Sequence, residues 1–177
     1  MENKHQKLHI GCGWDKREGY INCDISEEVE PDKIVDLEKT LPFKDNSVSE
    51  VIMNHTLEHT HEPIKVMKEI YRICQNNAIV KINVPYFSSE SAFSQIDHYS
   101  FFSLTTFDCL DKNHHGHWQG VGNFRIIRKR LHWIKELKIF EFIFGIHPKV
   151  TRIYQELFCW ILPAKALEFQ LRVVKDE

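Results

Sequence analysis

The stretch "LHIGCGWDKREGYINCDI", residues 8–25, limits what this chain can fold into more than any other. An apolar run breaks at a Gly-x-Gly turn, and a second apolar run ending in Asp24 follows almost at once. Nearly continuous apolar runs of this length are what strands buried on both faces of a parallel sheet look like. Similar runs at 33–36, 50–54 and 78–84 join those at 8–10 and 20–23, so five central strands are expected. Between the last two lies "EPIKVMKEIYRICQN". There Ile64, Met67, Ile70, Tyr71 and Cys74 recur at helical spacing, while Lys65, Lys68, Glu69 and Arg72 face away. The pattern predicts an amphipathic helix that "NN" at 76–77 stops, and hence a strand, helix, strand crossover.

The C-terminal half has a different period. "LEFQLRVV" alternates apolar and polar residues as a half-buried strand does, and "FRIIRKRLHWI" is a candidate to pair with it antiparallel. Val150, Ile153, Tyr154, Leu157, Phe158 and Ile161 mark a second helix that Pro163 ends. The expected fold is α/β: a Rossmann-like open sheet, mostly parallel, closed by a C-terminal antiparallel strand pair. A chain of 177 residues, 42% hydrophobic and without a Pro, Gly or Ser tract to act as linker, is expected to form one domain over 1–177. Within it, 86–123 is expected on the substrate side and 135–163 as a helical cover.

In open α/β sheets ligands bind beyond the carboxyl ends of the strands, where Gly11, Asp24, Asp36 and Asn54 fall. A glycine turn lets backbone approach a ligand closely, and an acid ending the second strand can accept hydrogen bonds from both ribose hydroxyls. A nucleoside cofactor fits that pair; glycines that merely turn the chain and an Asp24 that caps a loop fit it too. A dinucleotide fits poorly, because G-x-G-x-x-G would need glycine where Lys16 stands. With 23 basic against 25 acidic residues there is no basic excess for nucleic acid. Five cysteines without a C-x-x-C pair read as reduced thiols. A charged start without an apolar leader and the lack of a membrane-length apolar run lead to the expectation of a cytoplasmic protein.

The ordered series "GCG", Asp24, "DLEKTLPFKDNSVSEVI" and "LEH" resembles class I S-adenosylmethionine-dependent methyltransferases, in particular the compact small-molecule (type 11-like) domain. The resemblance covers residues 8 to about 85 and implies S-adenosylmethionine as cofactor. It puts Gly11, Cys12 and Gly13 against the methionine and ribose part. Asp24 takes the ribose hydroxyls, Ile25 packs on the adenine face, and Asp36 accepts from the adenine amino group with the Leu37 backbone nearby. Asn54 and His55 lie beside the sulfonium. Two departures accompany it: His9 stands where the family has an acid, and Asp15 where it has a third glycine.

Only residues 14–19 separate the turn from the second strand, and "SEEVEP" before the third is equally brief, so some crossover helices are expected to be missing. The flank left bare is expected to be covered by the C-terminal segments or by a second subunit, making a homodimer a candidate assembly. Candidate catalytic residues follow the fifth strand: His98, with Asp97 beside it to orient and tune the imidazole, and His55 as a further candidate. Tyr86, Phe87 and Phe101 are candidates to wall an acceptor pocket; a solvated Asp97-His98 turn and ordinary core aromatics are the plain alternative. His114, His115 and His117 are close in sequence but lack a partner pair at zinc spacing, so no metal is expected. The apolar runs "IFEFIFGI" and "LFCWILPA" fit core or dimer contacts better than a lipid surface. The expected activity is methyl transfer to a small-molecule or glycan-linked acceptor, at oxygen or nitrogen, the alternative being a non-catalytic cofactor-binding subunit.

Overall fold

The computed structural model describes residues 6–117, 120–145 and 147–175. Its sheet has seven strands: β1 (Gln6–Ile10), β2 (Ile21–Asp24), β3 (Lys33–Ile34), β4 (Val48–Asn54), β5 (Cys74–Pro85), β6 (Asn123–His132) and β7 (Ala166–Val174). They lie in the order β3-β2-β1-β4-β5-β7-β6. β1 to β5 pair in parallel, and β7 runs antiparallel to both β5 and β6. This is the expected mostly parallel α/β sheet with its antiparallel closure.

α1 (Pro63–Ile73) opens with Pro63, whose fixed φ and missing N–H suit a first turn, and buries Val66, Met67, Ile70 and Ile73 on the sheet. It ends earlier than the sequence pattern indicates. Cys74 is already extended and begins β5 with no intervening loop. The "NN" pair is instead an irregularity inside β5, where Asn77 has a φ of 64° and the pairing with β4 shifts register.

Three connections carry no crossover helix. Residues between β1 and β2 are turns, β2 to β3 holds only a 3-10 turn at Glu27–Val29, and β3 to β4 is irregular. β3 itself is two residues long, so Asp36 lies beyond the strand rather than at its end. The irregular β3–β4 connection is tied to α1 by one side chain. Arg72 donates to Glu69 from Nε and Nη2 at 2.9 and 2.8 Å, to the carbonyls of Phe43 and Leu41 at 3.0 and 2.9 Å, and to Asp45 at 2.6 Å. Glu69 in turn accepts from the Leu41 N–H at 2.8 Å.

The face left bare is polar, which corrects the expectation of an apolar flank needing cover. Register puts Lys81, Gln170 and Arg128 in one rank and Asn83, Glu168 and Arg130 in the next. Glu50 joins Lys7 at 3.2 Å and Lys81 at 2.5 Å across three strands. The opposite face carries Leu8, Ile10, Val51, Met53, Val80, Ile82, Phe169 and Leu171, all buried against α1 and against Phe102, Leu104, Phe107 and Leu110. Much of 86–123 therefore covers the core where a helix would otherwise lie.

The segment expected as helical cover forms α2 (Ile139–Gly145), α3 (Pro148–Ile153) and a π-helical turn, Tyr154–Phe158. Phe140, Phe144 and Tyr154 gather on Trp133 at the end of β6, and Tyr154 stacks on Tyr86. Ile139, Phe142, Ile153, Leu157, Trp160 and Ile161 point outward. The segment thus packs on the sheet's end, not over its bare face.

Buried on the otherwise polar face is His9, only 1% exposed, whose Nδ1 has no hydrogen-bond partner among the described residues. Burial, followed by the charge of Arg17, holds its imidazole below the ordinary 6.5, so it is neutral in the fold.

Two outcomes test this packing. Arg72→Ala should lower unfolding stability by about 2–4 kcal/mol, because it strands Glu69 and several carbonyls, whereas Asp45→Ala, which removes one exposed partner, should cost under about 1 kcal/mol. Urea midpoints distinguish them; equal small losses would show that the β3–β4 connection does not depend on Arg72. For His9 the unfolded chain binds the extra proton, so stability should fall as pH drops below about 6.5, towards the lowered folded value. His9→Gln should flatten that part of a melting-temperature profile, and parallel profiles for the two proteins would assign the effect elsewhere.

Candidate active site

The strand ends converge as the sequence reading expects. After β1 the chain turns through Gly11 and Gly13, with φ of 65° and 48°. A Cβ on Gly11 would lie 2.2 Å from Thr56 Oγ1, so only glycine lets the loop after β4 sit against this turn. Thr56 fixes the contact by donating to the carbonyls of Ile10 and Asn54 at 3.2 and 3.0 Å. A Cβ on Gly13 would meet nothing within 4 Å, leaving open space over that backbone.

Asp24 closes the turn from the neighbouring strand. Its Oδ2 accepts from the Gly13 N–H at 2.8 Å and its Oδ1 from the Ser26 N–H at 3.0 Å. A carboxylate has about four acceptor positions, so each oxygen keeps capacity for a further donor. On either side stand Trp14 and Ile25, 78% and 66% exposed, large side chains whose apolar faces are mostly open to solvent. Asp36 accepts from the Glu38 N–H at 2.9 Å and faces Lys39 at 3.1 Å, which together hold its carboxyl below the usual range. Leu37 packs against the core beside it. This edge fits the adenosine part of S-adenosylmethionine: a carboxylate with spare acceptor positions, uncovered apolar faces, and a backbone turn open to close approach.

Beyond β4, Asn54 leads into His55, a non-glycine residue at a φ of 50° whose N–H donates to the Asn83 carbonyl at 2.8 Å. Such backbone is uncommon outside glycine and concentrates at functional sites. His55 Nδ1 lies 3.2 Å from Glu58, which is buried in the middle of the "LEH" turn, Leu57–His59. The segment after β5 folds onto this turn: the N–H groups of Tyr99 and Ser100 donate to the Glu58 carbonyl at 2.9 and 3.2 Å.

This brings His98 to the edge, with its Nδ1 3.0 Å from the Ala92 carbonyl and its ring against that of His59, centroids 4.7 Å apart. The expected pairing of Asp97 with His98 is corrected. Asp97 is 3.0 Å from His59 Nδ1, so the carboxylate orients the imidazole from the other loop rather than its own neighbour's. The "LEH" turn thus adds Glu58 and His59 to the residues expected at the site, and their approach to His98 and Asp97 has no sign in the local sequence.

Of the aromatic wall, Phe87 packs on Trp160 and Phe101 stacks with the exposed Phe93. Tyr86 is fully buried, so it backs the wall and does not face an acceptor, a second correction. A cavity of about 770 Å³ lies elsewhere, between β6 and the α2–α3 segment, and none of the strand-end residues lines it. His114 and His115 contact each other, while His117 turns to the Cys109 carbonyl; Trp118 lies outside the described residues.

Comparison with known proteins agrees with this geometry. The pattern of the methyltransferase domain family matches residues 8–82. No curated protein matches the chain in sequence. Among solved structures, an S-adenosylmethionine-dependent methyltransferase from Archaeoglobus fulgidus superposes with a TM-score of 0.65 at 16% identity, over 95% of this chain and 86% of that one. A chain in the complex between the Haloferax volcanii Trm112 methyltransferase activator and a methyltransferase gives 0.64 at 15% identity, over 100% and 85%. A methyltransferase dependent on the same cofactor from Mesorhizobium loti gives 0.61 at 11%, over 94% and 90%. Residues 8–82 match the methyltransferase domain family, and the chain as a whole shares the fold of these methyltransferases.

Proposed function

We propose that the protein transfers a methyl group from S-adenosylmethionine to an oxygen or nitrogen of a small-molecule or glycan-linked acceptor held against the loops after β4 and β5. The observation that carries this reading is the meeting, at one sheet edge, of the Asp24–Gly13 cradle with the cluster His55, Glu58, His59 and His98. The cofactor supplies an already electrophilic methyl group on its sulfonium. The chain's own work is alignment and, for a hydroxyl acceptor, management of one proton. Asp24 accepts from the ribose hydroxyls, Ile25 and Trp14 offer apolar faces to the adenine, and Asp36 and the Leu37 backbone meet its polar edge. Cys12 and Asn54 line the path between the two halves.

A carbonyl only accepts, so the His98 Nδ1 facing Ala92 carries the proton and Nε2 keeps its lone pair for the acceptor side. His59, donating to Asp97, is held in the same tautomer. Phe87, Phe93 and Phe101 form an apolar wall beside them, which favours an acceptor with an apolar body. No described helix is long and apolar enough to cross a membrane.

Calorimetric titration with S-adenosylmethionine tests the cradle. Asp24→Ala should weaken binding by about 1.5–3 kcal/mol, and Asp24→Asn, which keeps one acceptor oxygen, by less. Wild-type affinity in both variants would remove Asp24 from the site. For the chemistry, S-adenosylhomocysteine release with cell extract as acceptor source should fall about a hundredfold in His98→Ala, with cofactor affinity nearly unchanged. Equal loss in both quantities would mark His98 as structural, and cofactor binding without any release in the wild type would favour the non-catalytic subunit.

A further inference from the structure

We propose that Glu58, His59 and His98 bind a divalent transition-metal cation of the zinc class. One ligand atom from each lies within 4.8 Å of the other two, and among the described residues no other such group of His, Cys, Asp or Glu occurs. Donors around a tetrahedral ion with bonds of about 2.0–2.1 Å stand about 3.4 Å apart, a closure that side-chain rotation supplies.

The carboxylate gives the first reason. Glu58 is 1% exposed; its Oε1 faces His55, and its Oε2 is buried with no hydrogen-bond partner among the described residues. A buried carboxylate oxygen without a donor is costly to keep, and a cation at that oxygen removes the cost. The imidazoles give the second. Both have Nδ1 engaged, His59 on the Asp97 carboxylate and His98 on the Ala92 carbonyl, each at 3.0 Å. Metal-ligating histidines are held in this way, the outer nitrogen on a carboxylate or carbonyl and the other lone pair presented to the ion. The backbone gives the third. Hydrogen bonds from Tyr99 and Ser100 to the Glu58 carbonyl, and from the Ser100 hydroxyl to the Thr60 carbonyl at 3.1 Å, tie the two donor-bearing loops together.

Three protein ligands leave a position for water or an acceptor oxygen, the make-up of a catalytic rather than a structural site. Two nitrogens and one oxygen suit zinc, cobalt or iron better than magnesium or calcium. Resting on the methyl-transfer reading, the ion's role is to hold the acceptor hydroxyl and lower its pKa, the proton leaving to bulk water. The imidazoles then act as ligands, and His98 is needed without itself taking the proton.

The test uses full-length protein stripped with a chelator and titrated with Zn²⁺ by calorimetry and with Co²⁺ by visible absorption. One equivalent should bind, with Co²⁺ d–d bands of a low-coordinate site. Glu58→Gln and His98→Ala should each weaken binding by roughly a hundredfold, at least as much as loss of an outer partner does. The double variant His114→Ala, His115→Ala should bind as wild type. If Glu58→Gln fails to fold, His59→Asn takes its place. Absence of a Co²⁺ spectrum in the wild type, or undiminished affinity in the ligand variants, would overturn the site. Titration with S-adenosylmethionine on the same samples separates the two readings. Cofactor binding without Zn²⁺ or Co²⁺ binding rejects the cation site alone, and metal binding without cofactor binding supports the cation site while rejecting methyl transfer.

Discussion

Everything at the candidate site depends on how closely the loop after β4 approaches the turn after β1. The Thr56 side chain occupies the space that a Cβ on Gly11 would take, and its hydroxyl is bonded to the carbonyl that ends β1. This contact sets the distance between the Asp24–Gly13 turn and the histidine cluster, two parts built on different strands. Because it is a steric fit between adjacent strands, the separation does not vary with side-chain rotation elsewhere. The backbone of the preceding residue, His55, takes up the bend in a conformation that few non-glycine residues adopt.

α1 and the chain after β5 cover the sheet around this contact on one side. On the other, ranks of Lys, Glu, Gln and Arg replace the helices that usually lie over parallel strands. Exposed ion pairs stabilise little, so these residues make the face compatible with water without making it strong. Stability comes from the opposite layer, where α1 and the irregular chain after β5 bury a continuous set of aliphatic and aromatic side chains. The bond between Arg72 and the β3–β4 connection belongs to that layer, holding in place a segment that carries no helix of its own.

Features written in local sequence were legible: the glycine turn, the acid ending β2, the helical period of α1 and the alternation of β7 each follow from residues a few positions apart. Bare flanks were legible as well, because loop length alone forbids a crossover helix. The polarity of the bare face was not. It depends on which residues share a rank across several strands, and the register between β4, β5 and β7 is not encoded within any one of them. The same holds for the site. Asp97 and His98 suggest a pair because they are neighbours in sequence, yet in an irregular segment successive side chains diverge, and the partner of Asp97 lies 38 positions earlier. The burial of Glu58 is a tertiary fact with no local sign.

The position of β7 bears on how the chain reaches this state. It follows every other strand in sequence but lies inside the sheet, between β5 and β6. During synthesis β6 therefore has no neighbour to pair with until residues 166–174 have left the ribosome, and the free edge of β5 waits equally long. Over that interval the nascent chain exposes an apolar edge strand, the kind of species on which chaperones act. The edge carrying the candidate site, β3-β2-β1-β4, is complete much earlier, so a nascent chain can form the Asp24–Gly13 turn before its fold has closed.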